Sequence, residues 1–170
     1  WLQFHDKDRP ASKEQYSNGK WHGVNQFFNA DGQLASECAY DQGRRHGKCQ
    51  FFFDNGQLQS QTHYQNDVQH GEELRYNEDG VLLEKFNLLA FPLHGRFARF
   101  DRDEQLVEEI FLKSGERDGA YRRFSSGQLL EERYYEKGKY HGVSRVFYND
   151  GKPREELNFV QGKRQGPFKT

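Results

Sequence analysis

The sequence predicts an all-β protein: a single elongated antiparallel meander of stacked β-hairpins, running through residues 1–170 as one repeat domain. Three observations predict it. Seven glycines (Gly23, Gly47, Gly71, Gly95, Gly119, Gly142 and Gly166) stand 24 residues apart, except for one step of 23. Self-similarity at a fixed short period is the mark of a repeat architecture. Five places after six of these glycines comes an aromatic residue: Phe28, Phe52, Tyr76, Phe100, Phe124 and Phe147. The segments between turn signals are about six to eight residues, the length of strands and too short for helices. The chain thus holds about six full units, with partial units at both ends.

With the period glycine as position zero, each unit reads as strand, tight turn, strand, longer turn. The first strand carries the aromatic at position five. A second turn signal follows at position nine, as Gly32, Gly56, Gly80 and Gly151. Asn29-Ala30-Asp31-Gly32 and Asn77-Glu78-Asp79-Gly80 suit a three-residue hairpin loop, a type I turn closed by a left-handed glycine. That loop sets Phe28 opposite Leu34, Phe52 opposite Leu58, Tyr76 opposite Leu82 and Phe100 opposite Leu106. The fifth unit lacks one residue, and a two-residue loop at Ser126-Gly127 restores the pair Phe124–Leu129. The second strand ends at position seventeen with Tyr40, Tyr64, Leu88, Leu112 or Phe159. Across the longer turn, Cys38 matches Cys49, Phe86 matches Phe97, Ile110 matches Tyr121 and Leu157 matches Phe168. These read as cross-strand neighbours. Simple alternation does not set them on the face of the aromatic stripe unless that turn carries a bulge, so its register stays open.

Composition agrees with a thin repeat sheet. Only 34% of residues are hydrophobic and 30% are charged, less apolar than a globular domain of this length. A repeat sheet needs only a stripe per unit, here about one aromatic and one leucine per hairpin. The net charge of −1 argues against a nucleic-acid binder held by a bulk positive field. No stretch approaches the ~18–20 apolar residues of a membrane span. The chain begins in mid-unit at Trp1 without a methionine, which leads one to expect further sequence upstream, with room for a signal peptide or lipid anchor. Cys38 and Cys49 suit either a disulfide or two buried thiols, and the redox compartment is undecided.

The chemistry-bearing residues follow the period. His22, His46, His70, His94 and His141 each precede a period glycine. Neighbouring units lie two strands apart, about 9–10 Å, so one zinc ion, with nitrogens at about 2.0–2.1 Å, does not bridge them. Glu37, Glu109, Glu132 and Glu156 form an acidic ladder, read as a solvated face or as inter-unit ion pairs. No nucleophilic triad, phosphate loop or dinucleotide fingerprint stands out. The expectation is therefore no enzyme, no cofactor, no metal and no catalytic residue. Arg75, Arg99, Arg122, Arg123 and Arg145 gather at strand positions three and four, where they suit an acidic partner or anionic headgroups.

One segment breaks the pattern. Elsewhere the longer turn is polar, as in Asp41-Gln42-Gly43-Arg44-Arg45. Here it reads Leu88-Leu89-Ala90-Phe91-Pro92-Leu93. An apolar turn at a sheet edge either folds back on the sheet or meets a partner.

The unit G-K-x-x-G-x-x-x-x-F-x-x-[ND]-G-x-L-x-x-E-x-x-Y, seen in Gly19-Lys20-Trp21-His22-Gly23 through Tyr40 and in Gly138 through Phe159, resembles the variant MORN repeat of bacterial proteins. Units three and four depart from it: Val68 and Phe91-Pro92 replace the opening glycine-lysine, and Glu104 replaces the turn glycine. The resemblance implies a hairpin meander without enzymatic activity, in a family whose bacterial members are labelled antitoxins of the YwqK type, some of them immunity-like. It further implies a cognate toxin or effector as partner and a bacterial location, cytoplasmic or periplasmic. The contact residues expected on this reading are Phe86, Leu88, Leu89, Phe91, Leu93 and Phe97, with Arg99, Arg122 and Arg123 adding charge. The alternative is a scaffold or membrane-surface module that binds anionic lipid. Neither the toxin nor the oligomeric state follows from the sequence.

Overall fold

The computed structural model describes residues 1–6, 8–88 and 94–169. The chain forms two compact units, Trp1–Leu82 and Leu83–Thr170. The first holds β1 (Leu2–Phe4), β2 (Pro10–Lys13), β3 (Tyr16–Ser17), β4 (Lys20–Trp21), β5 (Gly23–Phe28), β6 (Leu34–Asp41), β7 (Arg44–Phe52), β8 (Leu58–Gln65), β9 (Val68–Gln69) and β10 (Gly71–Tyr76). The second holds β11 (Leu82–Leu88, its first residue counted with the other unit), β12 (Gly95–Phe100), β13 (Leu106–Lys113), β14 (Glu116–Ser125), β15 (Gln128–Glu136), β16 (Lys139–Tyr140), β17 (Gly142–Phe147), β18 (Pro153–Val160) and β19 (Lys163–Lys169). The described pairings are antiparallel and join strands near one another in the chain. Each unit is thus an all-β antiparallel meander of hairpins, the fold class the repeat predicts.

The tight turn follows the sequence closely. Asn29 N donates to Gln33 O and Gly32 N donates to Asn29 O, while Phe28 lies opposite Leu34 with a bulge one step beyond. Gly32 has φ +81°, the left-handed conformation that glycine adopts without a Cβ penalty. Phe52 faces Leu58 and Phe100 faces Leu106. In the shortened unit, Ser126 (φ +47°) and Gly127 (φ +76°) form a two-residue loop, and Phe124 still faces Leu129. Two consecutive left-handed residues are the type I′ geometry whose twist matches that of the strands.

Glu104 occupies the turn position that is glycine in other units and takes φ +58°. A non-glycine residue there carries strain of about 1 kcal/mol or more. Glu104→Gly is therefore expected to stabilise the protein by about 0.5–1 kcal/mol after the added chain entropy of glycine, read as a higher thermal midpoint. An unchanged midpoint would show that the turn is unstrained.

The longer turn differs from a simple loop. Asp41 pairs with Arg44 across Gln42 (φ +48°) and Gly43 (φ +84°), so the reversal itself is another two-residue type I′ turn. The same geometry recurs at Ser114-Gly115, Lys137-Gly138 and Gln161-Gly162. A bulge follows. Tyr40 faces Arg45 and Cys38 faces Cys49, so Ala39 opposes three residues, His46, Gly47 and Lys48. Leu112 facing Arg117 and Ile110 facing Tyr121 repeat this around Gly119. The period glycine is thus the bulge residue. Gly47 (φ +106°) and Gly119 (φ +107°) hold backbone that side chains rarely adopt. The bulge adds two residues, so alternation is kept across it. The expected pairs Cys38–Cys49, Phe86–Phe97 and Ile110–Tyr121 all form; the side chain of Phe168, in the fourth, lies outside the described residues.

A thin sheet has a shallow core. Among the described residues the buried hydrophobic ones are Cys38, Cys49, Ala98 and Tyr135, and Cys38 and Cys49 are joined as a disulfide with Cα atoms 4.1 Å apart. The reversals are stapled by backbone bonds from one repeat to the next: Gly43 N donates to Trp21 O, Asp67 N to Arg45 O, Gly138 N to Arg117 O and Gly162 N to Tyr140 O.

Candidate interaction surface

In each unit the bulge lays a row of flat side chains on one face, which in the first unit is also the face of the disulfide. In the first unit the Trp21 ring lies 4.8 Å from Tyr40 and 5.8 Å from Phe27. Arg45, opposite Tyr40, lies over the Tyr64 ring at 4.0 Å. Cation–π contact at this distance stabilises by about 0.5–2 kcal/mol. In the second unit Tyr135 and Tyr140 are 4.8 Å apart, Tyr140 and Phe159 5.3 Å, and Arg117 lies 5.3 Å from the Tyr135 ring with Nη1 donating to Tyr135 Oη. Sequence reading missed this row, because its members two places before the period glycine (Trp21, Arg45, Arg117, Tyr140) share a register but not a residue type.

At the start of the chain, buried Glu14 anchors one end of the row. It accepts hydrogen bonds from Tyr16 Oη, from Ser12 Oγ (2.8 Å) and from Trp21 Nε1 (3.3 Å). The Tyr16 hydroxyl first, then the Ser12 hydroxyl, hold its carboxyl below the usual range.

Charge runs across the second unit in two rows. On one face Arg96 pairs with Glu109, and Arg122 bridges Glu109 and Glu132 at 2.9 Å each. Arg145 continues the row to Glu156 at 2.9 Å. At the matching positions of the first unit glutamine stands in place of arginine, Gln26 donating to Glu37 and Gln50 to Gln61. Within the acidic ladder, Glu109 and Glu132 make inter-unit ion pairs, with Arg122 and Arg145, whereas Glu37 meets Gln26 and Glu156 meets Arg145 inside one hairpin. Glu109 is 7% exposed; burial pushes its carboxyl up, but the hydrogen bonds from Arg96 and Arg122 outweigh this and hold it below the usual value. Such a carboxylate adds stability above pH 4.5, its ordinary value, and loses it as pH falls through the lowered folded value. Glu109→Gln is expected to cost about 1–2 kcal/mol at neutral pH. The gap to the parent protein should close in urea titrations run at progressively lower pH below the ordinary value. A gap independent of pH would mean that the charge is not what matters.

On the other face Glu84, Arg99, Glu108, Arg123 and Glu131 follow one another in register. Arg99 lies 3.3 Å from Glu108 and Arg123 3.3 Å from Glu131, and Arg133 also engages Glu131.

The structure places the sequence-predicted contact residues in two groups. Phe86 and Phe97 face each other with ring centroids 4.8 Å apart, half-buried at the base of the apolar turn. Leu88 ends β11 opposite Gly95, and its side chain lies outside the described residues, as do Leu89, Phe91 and Leu93 altogether. Arg99, Arg122 and Arg123 each meet a carboxylate of their own sheet. Arg122, between Glu132 and Glu109, is held even further above its usual value. The histidine ladder stays at the turns: His22 Nδ1 is 3.2 Å from Asp41, and His141 Nδ1 is 3.2 Å from Glu136. Among the described residues no group of three or more His, Cys, Asp and Glu residues is placed to hold a metal ion.

Fold and surface together define a β-hairpin repeat protein of the binding type, with two side-chain faces and a periodic glycine bulge. The pattern of the MORN repeat variant matches residues 21–42, 45–66, 69–88 and 140–161, and the chain belongs to that family. The unmatched stretch between them contains Pro92, Glu104 and the shortened loop at Ser126-Gly127. No curated protein matches the chain.

Proposed function

We propose that the chain is a non-enzymatic bacterial antitoxin or immunity protein that binds and occludes a cognate toxin or effector. The observation that carries this reading is the site at the apolar turn. The half-buried Phe86–Phe97 pair stands at the base of the turn. An aromatic pair at the foot of an apolar segment is the composition of an interface centre. Leu88, Leu89, Phe91 and Leu93 would anchor the contact, and Arg99 and Arg123, more exposed than Arg122, would tune its rate through complementary charge. The Cys38–Cys49 bond supports the periplasm over the cytoplasm, because disulfides persist in oxidising compartments.

The test is co-purification with the product of the adjacent gene, joined to a growth assay. Binding, and toxicity in cells that lack this chain, are the expected results. A neighbour that neither binds nor harms such cells overturns the reading. Replacing Leu89 and Phe91 with Asp should weaken the complex by about a hundredfold, and unchanged affinity in a folded variant would remove the turn from the interface. The lipid alternative has less support, since the strand arginines already face carboxylates; co-sedimentation with anionic vesicles at low salt would revive it.

A further inference from the structure

The charged row of Arg99, Glu108, Arg123 and Glu131 in the second unit is interrupted once. Arg99 faces Glu108 and Arg123 faces Glu131. In the last full unit the arginine position is Val146, opposite Glu155. Among the described residues no cation meets Glu155, although it is half-buried. The missing arginine leaves a cavity of about 210 Å³ in its place, lined by Val146, Leu157, Tyr140 and Phe159, with Ser144 and Glu155 as polar groups. The Ser144 Oγ is buried without a hydrogen-bond partner. Arg133 also lines the cavity, but Glu131 and the Tyr140 hydroxyl engage it, so it does not satisfy Glu155.

We infer that this cavity receives an arginine side chain from a protein partner. Its volume is below the ~300–1,000 Å³ of small-molecule sites and suits one long side chain. Val146 and Leu157 offer an apolar floor for the methylene stem. Phe159 offers an aromatic face on which a guanidinium stacks, while the Tyr140 ring, 5.3 Å from Phe159, already carries Arg133 at 5.4 Å. Glu155 supplies the charge and Ser144 Oγ a neutral acceptor, matching the fork of donors that arginine carries. The incoming group restores the alternation that Val146 breaks. This site is separate from the apolar turn and rests on the protein-binding reading only in its choice of a protein as the source of the arginine.

The experiment uses the isotope-labelled full chain and two probes, N-acetyl-arginine amide and N-acetyl-norleucine amide, so no toxin is needed. Saturable shifts of the Ser144, Val146 and Leu157 amides with the arginine probe, and none with norleucine, are expected at millimolar affinity, ~4 kcal/mol for one side chain. Glu155→Gln should weaken binding about tenfold or more. Val146→Arg should abolish it while leaving the thermal midpoint equal or higher, because the introduced arginine pairs with Glu155 and fills the cavity. Absence of saturable shifts up to ~50 mM probe, equal binding by Glu155→Gln, or undiminished binding by Val146→Arg each overturns the proposal. A toxin that fails to bind, with these shifts present, would reject the immunity reading and leave the arginine pocket standing.

Discussion

Gly119→Ala is expected to destabilise the protein by about 2–3 kcal/mol, although it adds only one methyl group. Gly119 is the bulge residue opposite Phe111, at φ +107°, well outside the left-handed basin near +57° that other residues visit. An added Cβ would lie 3.2 Å from the Phe111 Cβ. That atom is fixed to the neighbouring strand and cannot swing aside as the end of a flexible side chain would. Backbone strain and steric crowding therefore add. Gly115, in the adjacent type I′ turn, is the control: φ is +80° and a Cβ would meet nothing within 4 Å, so Gly115→Ala should cost only about 1–2 kcal/mol. Urea unfolding of the two variants measures the difference. Equal losses would show that the period glycine serves the turn in general and not the bulge.

Breaking the Cys38–Cys49 bond should cost about 2–3 kcal/mol. The bond closes a short loop, with a sequence separation of 11, and for that length the chain-entropy model gives a loss of this size. Cys49 is fully buried, so the replacement of choice is alanine at both positions, which leaves no unpaired hydroxyl inside. The parent protein should show a lower urea midpoint in reductant, and Cys38→Ala/Cys49→Ala should be insensitive to reductant. A parent midpoint that reductant does not move would show that the bond contributes nothing. The effect is local to one hairpin of the first unit, and the second unit has no counterpart, with Phe86–Phe97 and Ile110–Tyr121 at the matching positions.

Much of the local structure was legible because it depends on neighbours in the chain. The three-residue loops closed by glycine and the pairs Phe28–Leu34, Phe52–Leu58 and Phe100–Leu106 follow from turn chemistry over a few residues. The two-residue loop at Ser126-Gly127 follows in the same way. The face of the sheet was harder to read. Arg122 and Arg123 are adjacent and alike in sequence, yet one bridges Glu109 and Glu132 while the other meets Glu131 on the opposite face. Nothing in residue type separates them; alternation and register do. Glu155 shows the converse, since its position in the acidic row becomes informative only when Val146 is seen across from it.

The sequence by itself determined the period, the tight turns and the class of protein, since a repeat of this size has one short-range solution per unit. Tertiary structure decided what the period glycine is for. It turns the longer connection into a tight reversal plus a bulge of two extra residues, a displacement that composition does not mark. That bulge places Trp21, Arg45, Arg117 and Tyr140 against the preceding strand, and so builds the aromatic row. The partners of the arginines were decided there as well, because an ion pair forms between side chains brought within reach by register, at sequence separations that no local rule spans.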